Sequence, residues 1–153
     1  MRHLAKLIAL CAACVLPLCA NAADQLSVTP SGMRRCETDS SCVRLMIKNH
    51  GDSPVAFGVN GALHPTIPEP RVRYFLREDG SWLEFGQIVG TFMAPRRTIT
   101  IRPGQVRSLY VVISDVPKGL AGKTLRVSVQ DGSGTFHDSV PFNDSGIAQE
   151  QPE

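Results

Sequence analysis

Period-two alternation of apolar and polar residues recurs along this chain between clusters of Gly, Pro, Asn and Asp, and no stretch beyond residue 22 sustains a helical period. Successive side chains of a strand point to opposite faces, so this pattern fits half-buried strands and excludes amphipathic helices as the main element. The chain is expected to be all-β. Leu26 and Val28 make a first short strand that stops at Thr29-Pro30-Ser31-Gly32, and Val43, Leu45 and Ile47 form the inward set of the next. Asn49 to Pro54 turns the chain into Val55, Phe57 and Val59. Pro65, Pro68 and Pro70 then remove backbone donors, so Ala62 to Pro70 reads as a surface crossover. Ile99 and Ile101, then Leu109, Val111 and Ile113, then Leu125, Val127 and Val129 supply three further strands around the Pro103-Gly104 turn and the loop Asp115 to Gly122. The last strand, Thr135 to Phe142, is expected to turn Phe136, Val140 and Phe142 to the core, with Asp138 between them and His137 and Ser139 outward. Eight or nine short strands with one apolar face each need an opposing sheet, which predicts an antiparallel two-sheet sandwich.

The best-specified stretch is Arg71 to Ile88, two alternating runs around Asp79-Gly80. Asp-Gly between such runs is a hairpin signal. A two-residue loop there, or a four-residue one over Glu78 to Ser81, sets Arg77 opposite Trp82, Phe75 opposite Glu84, Tyr74 opposite Phe85 and Leu76 opposite Leu83. Tyr74, Leu76, Leu83 and Phe85 then face the core. Arg71, Arg73, Phe75, Arg77, Trp82 and Glu84 share the outer face. A three-residue turn would exchange the two sets. Arg77 beside Trp82 has the makings of a cation-π pair, and the outer face as a whole has the Arg and Trp content typical of energetic centres in protein interfaces. Arg96 and Arg97, between Pro95 and Arg102, form a second basic spot suited to a carboxylate or a phosphate, or to a solvated strand edge.

The first 22 residues have a short basic start (Arg2, Lys6), an apolar run from Leu7 to Leu18 and the small-residue end Ala20-Asn21-Ala22, the organisation of a secretory signal peptide. The apolar run is shorter than the roughly 20 residues of a membrane span. Removing 22 of 153 residues leaves 131, one domain of residues 23–143 with a polar tail over 144–153 that is expected to fray. Two of the 16 Lys and Arg leave with the leader, so 14 basic face 14 acidic residues, and no global charge argues for nucleic acid or an anionic membrane. Of five cysteines, Cys36 and Cys42 remain, and an even pair in an oxidising compartment predicts a disulfide. Closing so small a ring is worth about 2 kcal/mol, which pins a local turn.

Two runs carry a likeness. Leu45 to Pro54 and Ile99 to Ile113 resemble the immunoglobulin-like and fibronectin-type sandwich domains of exported bacterial proteins, where a strand ends in Asn-x-Gly-x-x-Pro and a later strand follows Pro-Gly-Gln. The pattern covers most of residues 42 to 130. It implies a fold and no activity. A second likeness is to the first domain of periplasmic pilus chaperones, although Asp115 to Gly122 lacks their acidic-arginine motif and no second domain follows.

Catalytic signatures are lacking: the chain contains no Gly-x-Ser-x-Gly, His-Glu-x-x-His, phosphate loop or dinucleotide fingerprint. His137-Asp138 is the sole adjacent base and acid, and neighbours in a strand point apart. His50, His64 and His137 with Met33, Met46 and Met93 are residue types of periplasmic metal carriers, yet no spacing brings two of them together. The expectation is therefore an exported, non-enzymatic module, periplasmic or secreted, without a cofactor, metal site or membrane span after leader removal, that binds another protein through Arg71, Arg73, Phe75, Arg77, Trp82, Arg96 and Arg97. It would serve as an inhibitor or immunity-type partner or as an accessory subunit of an envelope assembly, with a pilus-chaperone-like or metal-carrier role as the alternative.

Overall fold

The computed structural model describes residues 25–36, 41–68, 70–85, 94–113 and 122–149. Residues 1–24, Met93 and residues 114–121 lie outside them. Nine strands run in chain order: β1 (Leu26–Arg35), β2 (Ser41–Asn49), β3 (Val55–Val59), β4 (Val72–Glu78), β5 (Ser81–Phe85), β6 (Arg97–Ile101), β7 (Val106–Val112), β8 (Leu125–Gln130) and β9 (Phe136–Asp138). All named pairings are antiparallel, in three hydrogen-bonded sheets ordered β1-β2-β7, β3-β6 and β5-β4-β8-β9. No helix among the described residues is long and apolar enough to cross a membrane.

The β4–β5 hairpin has the anticipated register, because Asp79 and Gly80 both take positive φ, 48° and 80°, as a two-residue type I′ turn requires. Arg77 pairs with Trp82, Phe75 with Glu84, Tyr74 with Phe85 and Leu76 with Leu83. The inner face is less buried than expected towards the tip. Tyr74 is buried, Leu76 and Phe85 are half-buried, and Leu83 is 49% exposed on the edge strand β5. The Tyr74 hydroxyl donates to the Val112 carbonyl at 2.6 Å, tying β4 to β7 of another sheet. One core gathers side chains from all three sheets, including Val43, Leu45 and Ile47 of β2, Phe57 of β3, Leu109 of β7 and Val127 of β8.

Sequence and structure part at β1. The strand does not stop at Thr29 but runs through Pro30 to Arg35, with a register shift between Pro30, opposite Leu45, and Met33, opposite Val43. Pro30 is tolerated because β1 is an edge of its sheet, where a missing donor costs nothing. The extra residue is a bulge, in which Gly32 adopts φ 110°. Its amide donates to the Gly146 carbonyl at 2.7 Å. Residues 144–149 are accordingly tied down: Asn143 Oδ1 accepts from the amides of Ser145 and Ile147, and the Gln149 amide donates to Pro141. The proline crossover also contributes to the core, since Ile67 is buried and its amide donates to the Tyr110 carbonyl.

Cys36 and Cys42 are disulfide-bonded, and both are buried beside Tyr110. A more central tie is Asn49, fully buried at the end of β2. Its Nδ2 donates to the carbonyls of Ile101 (2.9 Å) and Ser53 (2.8 Å), and its Oδ1 accepts from the Gly51 amide. Its backbone amide donates to Gln105, and its carbonyl accepts from Gly104. The Asn-x-Gly-x-x-Pro and Pro-Gly-Gln turns are thus locked to each other through one residue.

Asn49→Ala leaves the Ile101 carbonyl and Gly51 amide without those partners, and a loss of about 2 kcal/mol is expected. Asn49→Asp, which keeps the shape and the acceptor but removes both side-chain donors, should also destabilise. Urea unfolding followed by Trp82 fluorescence measures both; unchanged midpoints would show that the joint is held elsewhere.

A cation-aromatic face on the four-stranded sheet

The outer face of β5-β4-β8-β9 is assembled in rows by register. Arg73 lies beside Ser128 and Asp138, Phe75 lies between Glu84 and Arg126, and Arg77 lies beside Trp82. Alternation explains the choice of residues: on β8, Leu125, Val127 and Val129 take the core side and leave Arg126, Ser128 and Gln130 outward.

The cation over Trp82 is Arg126, not Arg77. Its guanidinium carbon sits 4.7 Å from the Trp82 ring centroid and 4.7 Å from that of Phe75, and its Nη1 is 3.2 Å from Asp138 Oδ2. Ser128 Oγ donates to the other Asp138 oxygen. Arg73 stacks on Phe136 at 4.1 Å. Arg77 is exposed, and its side chain has no hydrogen-bonding, ionic or ring partner among the described residues. Arg126 was not singled out from the sequence, and Phe136 and Asp138 were read there as a core residue and as half of an adjacent acid-base pair, not as parts of this face. β8 and β9 are about fifty residues beyond the hairpin, and nothing local says that they pair beside it. The one available signal was Arg126 as the cation of an otherwise apolar and small-residue strand.

The β9 strand has the opposite phase to the expected one. His137 and Ser139 are buried, Asp138 points outward, and Val140 is 41% exposed. The cause is Asp131 in the preceding turn. Its Oδ1 accepts from the Ser133 amide and hydroxyl and the Thr135 amide, and its Oδ2 lies 2.9 Å from His137 Nε2. This pull draws His137 inward against Phe57, while Phe136 recovers cover under Arg73. Burial pushes the Asp131 carboxyl pKa up, but the bonds from His137, Ser133 and Thr135 outweigh it and hold the group below its ordinary value. The same turn docks on β3 through the Gly132 amide and the Ala56 carbonyl at 2.7 Å.

The remaining residues assigned to binding lie near β6. The Arg96 amide donates to Asn60 Oδ1 (2.9 Å) and Val59 O (3.2 Å), and Arg97 Nη2 donates to the Ala62 carbonyl (3.1 Å). The histidines are dispersed: His50 shares a hydrogen bond with Ser27, His64 stands edge-on to Tyr110, and His137 meets Asp131. Among the described residues, no group of three His, Cys, Asp or Glu is placed to hold a metal ion.

Arg126 makes two ring contacts worth about 0.5–1 kcal/mol each at a surface, so Arg126→Ala is expected to cost about 1–2 kcal/mol. Arg77→Ala should stay within about 0.5 kcal/mol. Equal losses in urea titrations would contradict the stacking described here. For Asp131, a folded pKa below the unfolded one means stability that is complete above roughly pH 4 and lost as pH falls through the lowered value. Asp131→Ala should cost about 3 kcal/mol at neutral pH, because it removes the carboxylate that takes part in four hydrogen bonds with Ser133, Thr135 and His137, and should flatten the stability profile below about pH 4. A wild-type acid limb in this variant would assign that limb to other carboxylates. Set against known proteins, the chain matches no protein-family model and no curated sequence.

Proposed function

We propose that the chain is an exported, single-domain immunoglobulin-like sandwich that binds another protein in the periplasm or outside the cell and is not an enzyme. The strand orders β1-β2-β7 and β5-β4-β8-β9 support the fold, because immunoglobulin-like domains set A, B and E on one sheet and C, F and G on the other, with a further strand beyond C in the variable type. The departure is β6, which pairs with β3 and not with β7. The organisation of Met1 to Ala22 and the Cys36–Cys42 bond support export. The Asp131–His137 pair, the one buried acid-base couple among the described residues, is used to clasp a turn, which supports a role without catalysis.

The observation that carries the binding role is the outer face of the four-stranded sheet, where Arg73 stands over Phe136 and Arg126 over Phe75 and Trp82. Held against rings, these cations lose little freedom on docking. An inhibitor or immunity-type partner of a secreted enzyme and an accessory subunit of an envelope assembly both fit such a face. The first forms a stoichiometric complex with one enzyme; the second co-purifies with envelope components.

Affinity capture from the envelope fraction of the producing cells, with wild type beside an Arg77→Ala, Trp82→Ala double variant, tests the placement. Wild type should recover a partner that the variant recovers at least about tenfold less well, the loss of roughly 1.4 kcal/mol. Recovery of every partner in equal yield by both would refute it.

A further inference from the structure

Pro95 and Arg71 meet over Gly58. This residue lies on β3 between the core-facing Phe57 and Val59, opposite Thr98 of β6. A Cβ on it would stand 2.7 Å from the Pro95 ring and 3.6 Å from Arg71 Nη1. The Pro95 ring and the Arg71 guanidinium therefore converge on the space that the missing side chain leaves, and Arg96 and Arg97 follow Pro95 directly. Arg71 directly precedes β4, and from there Arg73, Phe75 and Arg77 succeed one another along the strand on one face, at alternate positions about 6.6 Å apart. Among the described residues, none of Arg71, Arg73, Arg77, Arg96 and Arg97 forms an ion pair. The row at Phe75 is different. It is flanked by the carboxylate of Glu84 on β5 and by Arg126 on β8, whose charge Asp138 already meets.

We infer that this row receives an extended acidic segment of the partner protein, with carboxylates on alternate residues against Arg71 and Arg73, an apolar residue against Phe75, and a further carboxylate against Arg77. The inference rests on the protein-binding reading above and names the chemistry of the partner. Arg73 stands over Phe136, its guanidinium carbon 4.1 Å from the ring centroid, and a guanidinium attracted to a ring face still has N–H donors to offer a carboxylate through two bonds. Glu84 repels a third carboxylate at the Phe75 position, so acid-x-acid-x-apolar-x-acid fits where an unbroken run of acids does not. A uniformly charged polyanion such as a nucleic acid would bring a phosphate to the row of Phe75 and Glu84, where the carboxylate repels it.

Fluorescence polarisation of the purified protein with two labelled peptides tests the order. One carries tandem Glu-Ser-Glu-Ser-Leu-Ser-Glu; the other has the same composition scrambled. Oligothymidylate and heparin serve as competing polyanions. The ordered peptide should bind at least about tenfold tighter than the scrambled one, and Arg71→Ala and Arg73→Ala should each cost about tenfold. Arg107→Ala, on β7 of another sheet, should leave the affinity unchanged. Equal affinity for the two peptides, no binding of either, or tighter binding of oligothymidylate or heparin would overturn the inference. The envelope capture remains a separate readout: a partner lost with the Arg77, Trp82 variant alongside indifferent peptides would keep the protein-binding face and discard its acidic occupant.

Discussion

The geometry of this fold depends on one buried amide. Asn49 ends β2, and its five hydrogen bonds reach Ser53 and Gly51 in the turn before β3, Ile101 at the end of β6, and the Gly104-Gln105 turn that opens β7. Those four segments belong to two separate ladders that share no named strand pairing. A buried amide without partners would be costly, so each of these chain segments is held where it can satisfy Asn49. Propensity alone would allow the turn at 50–54 many conformations. The requirement to satisfy Asn49 leaves few, and it explains why two turn motifs some fifty residues apart in sequence act as one joint.

The same logic, with weaker forces, builds the outer face of the four-stranded sheet. Four strands bring three aromatic rings to one surface, and bare rings there would be an aggregation hazard. Arg73 and Arg126 cover them at little cost, since a guanidinium is weakly hydrated on its faces and keeps its donors at its edges. The charge of Arg126 is then met by Asp138, itself turned outward because Asp131 has drawn His137 in. A hydrogen bond in a tight turn thus decides, through strand phase, which charge neutralises the cation of the face.

How much of this was legible in the residues depends on the distance over which the deciding interaction acts. The hairpin register was legible because Asp79-Gly80 fixes it within four residues. The disulfide was legible from the two cysteines, Cys36 and Cys42, that lie beyond residue 22. The continuation of β1 through Pro30 was hidden, because a proline breaks a central strand and only the sheet order makes β1 an edge. The phase of β9 was misread for a similar reason. Phe136 and Val140 alternate as core residues would, and hydrophobic pattern was weighed without the competing Asp131–His137 pair. Arg126 was missed because its partners come from three other strands.

Arg77 shows what the packing of this face leaves unmet. Its row contains Trp82, already covered from Arg126, so stacking has nothing left to offer it. Arg73 differs, since Phe136 holds it in place, yet Asp138 in the same row is committed to Arg126 and Ser128. Both cations are therefore exposed without a counter-charge among the described residues, in a chain whose acidic and basic residues balance over residues 23–153. Arg73, held over Phe136, loses less entropy on meeting a carboxylate than the unheld Arg77. Their exposed position also makes them speed encounter more than they slow release. A partner held by this face would associate quickly and with strong salt dependence, and its residence time would be set by the apolar contact at Phe75.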